Sequence, residues 1–202
     1  MFRSAILQSM HGRIPPGSAL LVVDVQRAID DPAWAASGPR NHPAAERTIA
    51  QLLTAWRENN LPVWHVRHDS TFPGSTYRPG QPGNDFKPEA KPLPGEPVVA
   101  KTTPCAFAGT GLELRLRAAG ITALIVAGVI TNNSVEATVR MAGCLGFDVY
   151  LVEDACFTFA RKDWNGRMWT AAEVHALSLA NLDGEYCTVV SSAEALAGIQ
   201  AP

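Results

Sequence analysis

The sequence lacks several features that would place it in a large functional class. Its 17 Lys and Arg residues nearly balance its 19 Asp and Glu residues, so no charge excess favours binding to nucleic acid or to an acidic membrane. No stretch reaches the roughly 18 apolar residues of a transmembrane helix. The opening segment, "MFRSAILQSMHGRIPPG", has neither the apolar core nor the cleavage pattern of a secretion signal. We therefore expect a cytoplasmic protein that binds neither nucleic acid nor membranes.

Paired cysteines and phosphate-binding glycine motifs are also missing. The four cysteines, at positions 105, 144, 156 and 187, form no CxxC pair, and a chain of 202 residues is large enough to be stable without disulfides. We expect reduced thiols, with Cys156 and Cys187 as small core residues. No Gly-rich phosphate-binding motif follows the first apolar segment, so we expect no nucleotide or other cofactor.

Apolar strand-like segments alternate with amphipathic helical segments along the chain. The predicted strands cover residues 18–26, 61–68, 96–101, 121–128, 147–154 and 186–190, and the predicted helices cover residues 42–60, 110–120, 132–146 and 170–184. Such alternation is typical of a parallel sheet covered by helices on both faces. We therefore predict one domain over residues 1–202, with a three-layer α/β/α, Rossmann-like fold and a mostly parallel sheet of about six strands.

A long segment without helical or strand periodicity separates the second and third predicted strands. It runs over residues 70–97 and is rich in Pro and Gly. Loops of this length are uncommon inside compact domains and often carry function. We interpret the segment either as part of the substrate site or as an arm that forms an interface.

Three polar residues stand at the ends of predicted strands. Asp24 follows "LLVV", Lys101 follows "PVVA", and Ser134 lies in the turn after "LIVAG". Ligands of open α/β sheets bind beyond the carboxyl ends of the strands. If the three strands are neighbours, these side chains meet in one cleft.

The same segments carry a resemblance to a known family. Asp24 in "LLVVDVQ", Lys101 in "VVAKTTPCAF" and the segments "GVITNNSVEATVRMAG" and "LGFDVYLVEDA" together resemble the isochorismatase-like cysteine hydrolases. The resemblance extends from about residue 18 to residue 190, which is most of the chain. It implies a three-layer α/β/α fold and an Asp-Lys-Cys triad that cleaves amides of small molecules.

Ser134 departs from that family pattern, because it occupies the position of the nucleophilic cysteine. The resemblance also implies a cis peptide bond between Val129 and Ile130, and an oxyanion hole formed by the backbone amides of Ile130 and Ser134. Three explanations of the serine remain open. The serine is an engineered replacement of cysteine, or it belongs to a natural member that uses a different mechanism or substrate. In the third explanation, the protein binds a ligand without turning it over.

Further residues are candidates for substrate binding because they lie on the long loop or near strand ends. They are Gln26, Ile29, Trp34, His68, Tyr77, Asn84, Phe86 and Cys105. The aromatic members predict a partly apolar organic ligand. Cys105, four residues after Lys101, is expected to line the cleft rather than to act as the nucleophile.

Metal binding is considered for "WHVRHDS", because nicotinamidase-like relatives hold a metal with an Asp and histidines after the second strand. His65 and His68 point to opposite faces of a strand because their separation is odd. We therefore predict no metal centre, and we expect His68 and Asp69 to lie at the mouth of the substrate site. His175 is interpreted as a structural histidine on a helix.

These observations favour a hydrolase that cleaves a small-molecule amide C–N bond, with Asp24 as base, Lys101 as electrostatic partner and Ser134 at the nucleophile position. One alternative is hydrolysis of a vinyl ether by acid/base catalysis without a covalent intermediate, as in isochorismatases. Another is a ligand-binding member without activity. The resemblance further implies a homodimer or homotetramer, to which the apolar segment 193–202 contributes.

Overall fold

The computed structural model describes residues 14–200, so the predictions for residues 1–13 and 201–202 lie outside the described residues. The strands are β1 (Ala19–Val23), β2 (Val63–His68), β3 (Val98–Lys101), β4 (Ala123–Val129), β5 (Asp148–Phe157), β6 (Arg161–Lys162), β7 (Met168–Trp169) and β8 (Thr188–Val190). Six of them form one sheet in the order β3–β2–β1–β4–β5–β8, and all pairs in it are parallel. This confirms the predicted sheet.

Helices cover both faces of the sheet. They are α1 (Ala45–Glu58), α2 (Leu112–Ala118), α3 (Glu136–Cys144), α4 (Ala171–Ala180) and α5 (Ser192–Gln200). Successive residues of β1 alternate between two apolar clusters, since Leu21 belongs to the cluster under α2 and α3 and Leu20 to the cluster under α1 and α5. This confirms the three-layer fold. Within residues 14–200 no helix combines the length and the apolar character needed to cross a bilayer.

Two parts of the fold differ from the sequence-based prediction. The two-residue strands β6 and β7 form an antiparallel hairpin, which the sequence did not predict. The sequence predicted no helix in the region of α5 and indicated only an apolar segment over residues 193–202. In the structure Ala195 is fully buried, and Leu196 and Ile199 pack against the cluster under α1. Much of the apolar surface of this segment is therefore used within the chain.

The long segment between β2 and β3 contains no strand and no α-helix. Two short 3-10 turns interrupt it, at Pro82–Asn84 and Pro88–Ala90. Proline cannot donate a backbone hydrogen bond, which disfavours longer regular elements here. The prediction of a long loop is therefore confirmed.

The cysteines are all unpaired, as expected. Cys156 and Cys187 are buried, and burial raises the pKa of each thiol to about 12. Both are therefore protonated at neutral pH and act as small apolar core residues.

Candidate active site

The three polar residues at the strand ends meet at one edge of the sheet. Asp24 follows β1, Lys101 ends β3, and Ser134 lies in the turn between β4 and α3. The strands are not all neighbours, because β2 lies between β1 and β3. The long lysine side chain extends across the end of β2, which is how its ammonium group reaches Asp24.

Lys101 connects the other two residues. Its Nζ lies 2.5 Å from Asp24 Oδ2 and 3.3 Å from Ser134 Oγ. The lysine side chain is fully buried and that of Asp24 is 5% exposed. Removing one partner of a buried ion pair costs about 3–5 kcal/mol, because the other charge is left uncompensated. The carboxylate, the ammonium and the hydroxyl thus form one buried, connected group.

The backbone of Asp24 adopts a left-handed conformation, with φ at 55°. Asp and Asn tolerate this region better than other non-glycine residues, although it still costs about 1–2 kcal/mol. The backbone amide donates to the Val66 carbonyl at 3.0 Å, and the carbonyl accepts from the Gln26 amide at 2.8 Å. These bonds on both sides of the residue hold the turn that brings the carboxylate to Lys101.

One oxygen of the Asp24 carboxylate is left free. Oδ1 is buried and has no hydrogen-bond partner among residues 14–200. Burial raises the pKa of the carboxyl above its usual range, against the opposing effect of the Lys101 ammonium. A carboxylate with a raised pKa and a free oxygen is suited to accept a proton from a reactant.

His68 lies beside the ammonium group at the end of β2. Its Nδ1 is 3.4 Å from Lys101 Nζ, and its ring contacts the Tyr77 ring edge-on at 5.6 Å. Burial and the adjacent lysine lower the pKa of His68 to about 4. The ring is therefore neutral at pH 7 and accepts rather than repels the lysine N–H.

Gly128 permits close contact between β4 and β1 next to Asp24. Its φ is 136°, a conformation that side-chain-bearing residues rarely adopt. A Cβ at this position would overlap the carbonyl oxygen of Val23. Only glycine allows the end of β4 to lie this close to the residue that precedes the aspartate.

The turn that carries Ser134 begins directly after β4. The peptide bond between Val129 and Ile130 is cis, as the family resemblance implied. The Ile130 carbonyl accepts from the amides of Asn133 and Val135, at 3.1 and 3.4 Å. Ser134 is 8% exposed, and its residual exposed surface faces the cleft described next.

A cleft of about 380 Å³ opens over these residues. Of the predicted residues it is lined by Asp24, Ile29, Trp34, His68, Tyr77, Ile130 and Ser134. Trp34 stands edge-on to Tyr77, with ring centroids 6.3 Å apart. The cleft therefore combines aromatic walls with a buried polar base, and its volume suits a small organic molecule.

Four residues predicted to bind substrate lie outside the cleft walls. The Gln26 side chain donates to the His68 and Asn84 carbonyls and accepts from the His68 amide. Asn84 donates to carbonyls of the loop, and Phe86 packs edge-on against His65. Gln26, Asn84 and Phe86 thus support the wall from behind, and Cys105 is half-buried outside the cleft. Asp69, which was expected at the mouth of the substrate site, accepts hydrogen bonds from Arg67 and Asn84.

The sequence did not single out several residues that do line the cleft. They are Ser70, Thr71, Phe72, Ser75, Thr102, Pro104, Val129 and Asn133. The stretch "STFPGSTY", at the start of the long loop, supplies five of the lining residues: Ser70, Thr71, Phe72, Ser75 and Tyr77. In this stretch a Ser-Thr pair followed by an aromatic residue occurs twice. That repeat, within a loop long enough to carry function, could have indicated these residues from the sequence.

His65 and His68 do not share a site. His65 is fully buried, and its Nε2 lies 2.8 Å from Glu96 Oε2, whereas His68 faces the cleft. Opposite orientations on β2, as predicted, separate the two rings. Another group of possible metal ligands, formed by His42, Glu153 and His175, lies outside this cleft.

Comparison with known proteins agrees with the fold. The Isochorismatase domain model matches residues 18–194. A crystal structure from Chromobacterium violaceum, described as a hydrolase of the isochorismatase family, superposes with a TM-score of 0.89 and 62% identity, over 93% of this chain and 96% of that chain.

Two sequence relatives extend this finding. The isochorismatase family protein YrdC of Bacillus subtilis is 39% identical over 174 residues, which are 86% of this chain and 91% of YrdC. The ureidoacrylate amidohydrolase RutB of Variovorax paradoxus is 32% identical over 170 residues, which are 68% of each protein. With a fold, a domain match and relatives that agree, the chain belongs to the isochorismatase family of hydrolases.

Proposed function

We propose that the protein hydrolyses the C–N bond of a small amide at the cleft formed around Asp24, Lys101 and Ser134. The observation that carries this proposal is the contact of the Lys101 ammonium with both the Asp24 carboxylate and the Ser134 hydroxyl at the base of a cleft. A relative of the chain, RutB, is an amidohydrolase.

In the proposed reaction, Ser134 Oγ attacks the amide carbonyl carbon and its proton passes to Asp24. The backbone amides of Ile130 and Ser134 are proposed to donate to the oxygen that becomes negative, and preorganised donors of this kind are worth several kcal/mol. The C–N bond then breaks, and the proton moves from Asp24 to the leaving nitrogen. Asp24 then deprotonates water, which attacks the acyl carbon. The bond to Ser134 Oγ breaks, the acid is released, and the proton on Asp24 returns to Oγ.

The hydroxyl at position 134 makes the first step difficult. A serine hydroxyl ionises near the value for water, about 15.7, whereas an ordinary Asp ionises near 3.9, so the transfer costs on the order of 14 kcal/mol or more. The raised pKa of Asp24 and the ammonium at 3.3 Å both reduce this cost. They do so by favouring, respectively, the protonated carboxyl and the anionic nucleophile.

The cleft also restricts the substrate. Its polar side chains are mainly hydroxyls and amides, and the charge of Lys101 is already paired with Asp24. A second buried charge would have no partner here, which is costly. We therefore propose a neutral amide or ureido group, attached to a small apolar or aromatic body that contacts Trp34 and Tyr77.

The alternative is acid/base hydrolysis of a vinyl ether by Asp24 without a covalent intermediate. It is favoured by the high cost of ionising the serine hydroxyl and by two properties of Asp24. The pKa of Asp24 is raised and its Oδ1 is free, so the carboxyl can protonate a substrate carbon and then activate water. Ser134 would then only bind the substrate.

Three variants separate these functions. Wild type, Asp24→Asn, Lys101→Met and Ser134→Ala are assayed against small amides, ureido compounds and a vinyl ether, with the exposed Asp148→Asn as control. Amide turnover that is lost in all three variants supports the proposal. Turnover lost in Asp24→Asn but kept in Ser134→Ala supports the acid/base alternative. Substrate binding without turnover in any form would overturn both and identify a silent binding protein.

We also propose that the protein is a homodimer or homotetramer. The β6–β7 hairpin supports this, because Trp164 at its tip is 93% exposed and Met168 is 44% exposed. Exposed apolar residues that form one contiguous patch often mark a contact with a partner. Light scattering on wild type and Trp164→Ser measures the mass directly, and a monomeric wild type would contradict the proposal.

A further inference from the structure

A second group of ionisable side chains lies outside the cleft. It consists of His42, before α1; Glu153, on β5; and His175, on α4. Glu153 Oε2 is 3.7 Å from His42 Nε2 and 3.9 Å from His175 Nε2, and the possible ligand atoms all lie within 4.8 Å of one another. Three separate elements of the fold thus present two imidazoles and one carboxylate to one point.

His175 presents a nitrogen that nothing satisfies. Its side chain is 6% exposed, and Nε2 is buried without a hydrogen-bond partner among the described residues. The other ring nitrogen, Nδ1, lies 2.9 Å from Thr131 Oγ1, which fixes the orientation of the ring. Burial lowers the pKa of His175 to about 4, so the ring is neutral at pH 7. An oriented neutral imidazole with one free nitrogen is a typical metal ligand.

The donor set and its spacing fit a first-row divalent ion. Two histidine nitrogens and one carboxylate oxygen, with water as fourth ligand, form a common tetrahedral zinc site. Ligand bonds of about 2.0–2.1 Å place tetrahedral donors about 3.3–3.4 Å apart, so the measured His–Glu separations need to shorten by roughly half an ångström. The two histidine nitrogens lie within 4.8 Å of each other and need to approach by up to about 1.4 Å. His42 and Glu153, at 30% and 35% side-chain exposure, have room to make this shift and leave access for water.

We propose that His42 Nε2, Glu153 Oε2 and His175 Nε2 bind one zinc ion. This differs from the sequence-based expectation of no metal centre, and it does not depend on the proposed amide hydrolysis. The ion would join β5, α4 and the segment before α1. Through the contact between His175 and Thr131, it would also brace the turn that carries Ser134. We therefore expect the bound ion to stabilise this part of the fold.

The test is metal titration of chelator-treated full-length protein. Co²⁺ is added first because its absorption reports ligand type, and Zn²⁺ is then used to displace it. We expect one Co²⁺ per chain, ligand-field bands without a thiolate charge-transfer band, and a melting temperature that rises and saturates with Zn²⁺. Glu153→Gln and His42→Asn, the latter because Asn tolerates the φ of 44° at this position, should each weaken binding at least tenfold.

Two control variants address other binding modes. Glu185→Gln removes an exposed carboxylate outside the proposed site, and Cys144→Ser removes the exposed thiol; both should bind Co²⁺ as wild type does. The proposal is overturned if wild type binds no metal, if Glu153→Gln binds as tightly as wild type, or if the signal disappears in Cys144→Ser. Glu153 and His42 are partly exposed, so their variants are expected to fold even if a His175 variant does not.

Discussion

Replacing Ser134 with cysteine tests whether the cleft is built for a thiolate. The Lys101 Nζ that lies 3.3 Å from the serine oxygen would lie next to the introduced sulfur. The turn at residues 131–135 leads directly into α3, whose N-terminal amides also favour an anion. Both features stabilise an anion at position 134. The pKa of a thiol is low enough for this stabilisation to produce a thiolate, whereas the pKa of a hydroxyl is several units higher.

The expected gain follows from the proton transfer to Asp24. A cysteine thiol ionises near 8.5 and a hydroxyl near 15.7, a difference of about seven units, or about 10 kcal/mol. Nucleophilicity falls as the pKa of the attacking group falls, with a coefficient of about one half. About 5 kcal/mol should therefore remain as a lower barrier, which is about a thousandfold or more in rate.

The assay measures amine or ammonia released from small neutral amides by wild type, Ser134→Cys and Ser134→Ala. Ser134→Cys should also form an acyl adduct, visible by mass spectrometry of the intact chain. Ser134→Cys combined with Asp24→Asn is the control, since it keeps the thiol but removes the base. A thiol that is alkylated readily yet gives no gain over Ser134→Ala on any amide would refute the reasoning.

Two further predictions concern stability. Gly128→Ala should destabilise the fold by about 3 kcal/mol or more, because the new Cβ overlaps the Val23 carbonyl at a φ of 136°; urea unfolding measures it, and a loss below 1 kcal/mol would contradict the close approach. Because of His68, the free energy of unfolding should fall as the pH drops from about 6.5 towards 4. In that range the ring binds a proton in the unfolded chain, whereas in the folded protein, where its pKa is about 4, it does not. The full effect is about 3 kcal/mol, reduced to about 1–2 by the partial exposure of the ring, and His68→Gln should lose this part of the pH dependence.

The sequence predicted the sheet because each strand is short, apolar and followed by a helix. In β1, all five residues are buried, so its signal was a continuous apolar run. The position of Asp24, Lys101 and Ser134 at strand ends followed from the same pattern. Their contact did not, because it depends on strand order. β2 lies between β1 and β3, and only the length of the lysine side chain closes that gap.

The contacts that the sequence did not predict are those that depend on the backbone around each residue. Gln26 and Asn84 resemble substrate-binding amides, but they are held by carbonyls of the loop and by the His68 backbone. Likewise, no periodicity in the sequence indicates that Glu153 and His42 lie beside His175. A contact between residues more than a hundred positions apart requires the fold itself.

The effect of the buried Asp24–Lys101 pair on stability tests whether the pair serves catalysis or the fold. A buried ion pair rarely stabilises a fold more than apolar residues of similar size, although losing one partner costs about 3–5 kcal/mol. If the pair serves chemistry, Lys101→Met alone should be strongly destabilising, while Asp24→Asn with Lys101→Met should recover most of the loss. Asn suits this double variant because it tolerates the left-handed backbone of Asp24. If the double variant instead remains as unstable as Lys101→Met alone, as measured by urea unfolding, the pair stabilises the fold in its own right and its burial is no argument for catalysis.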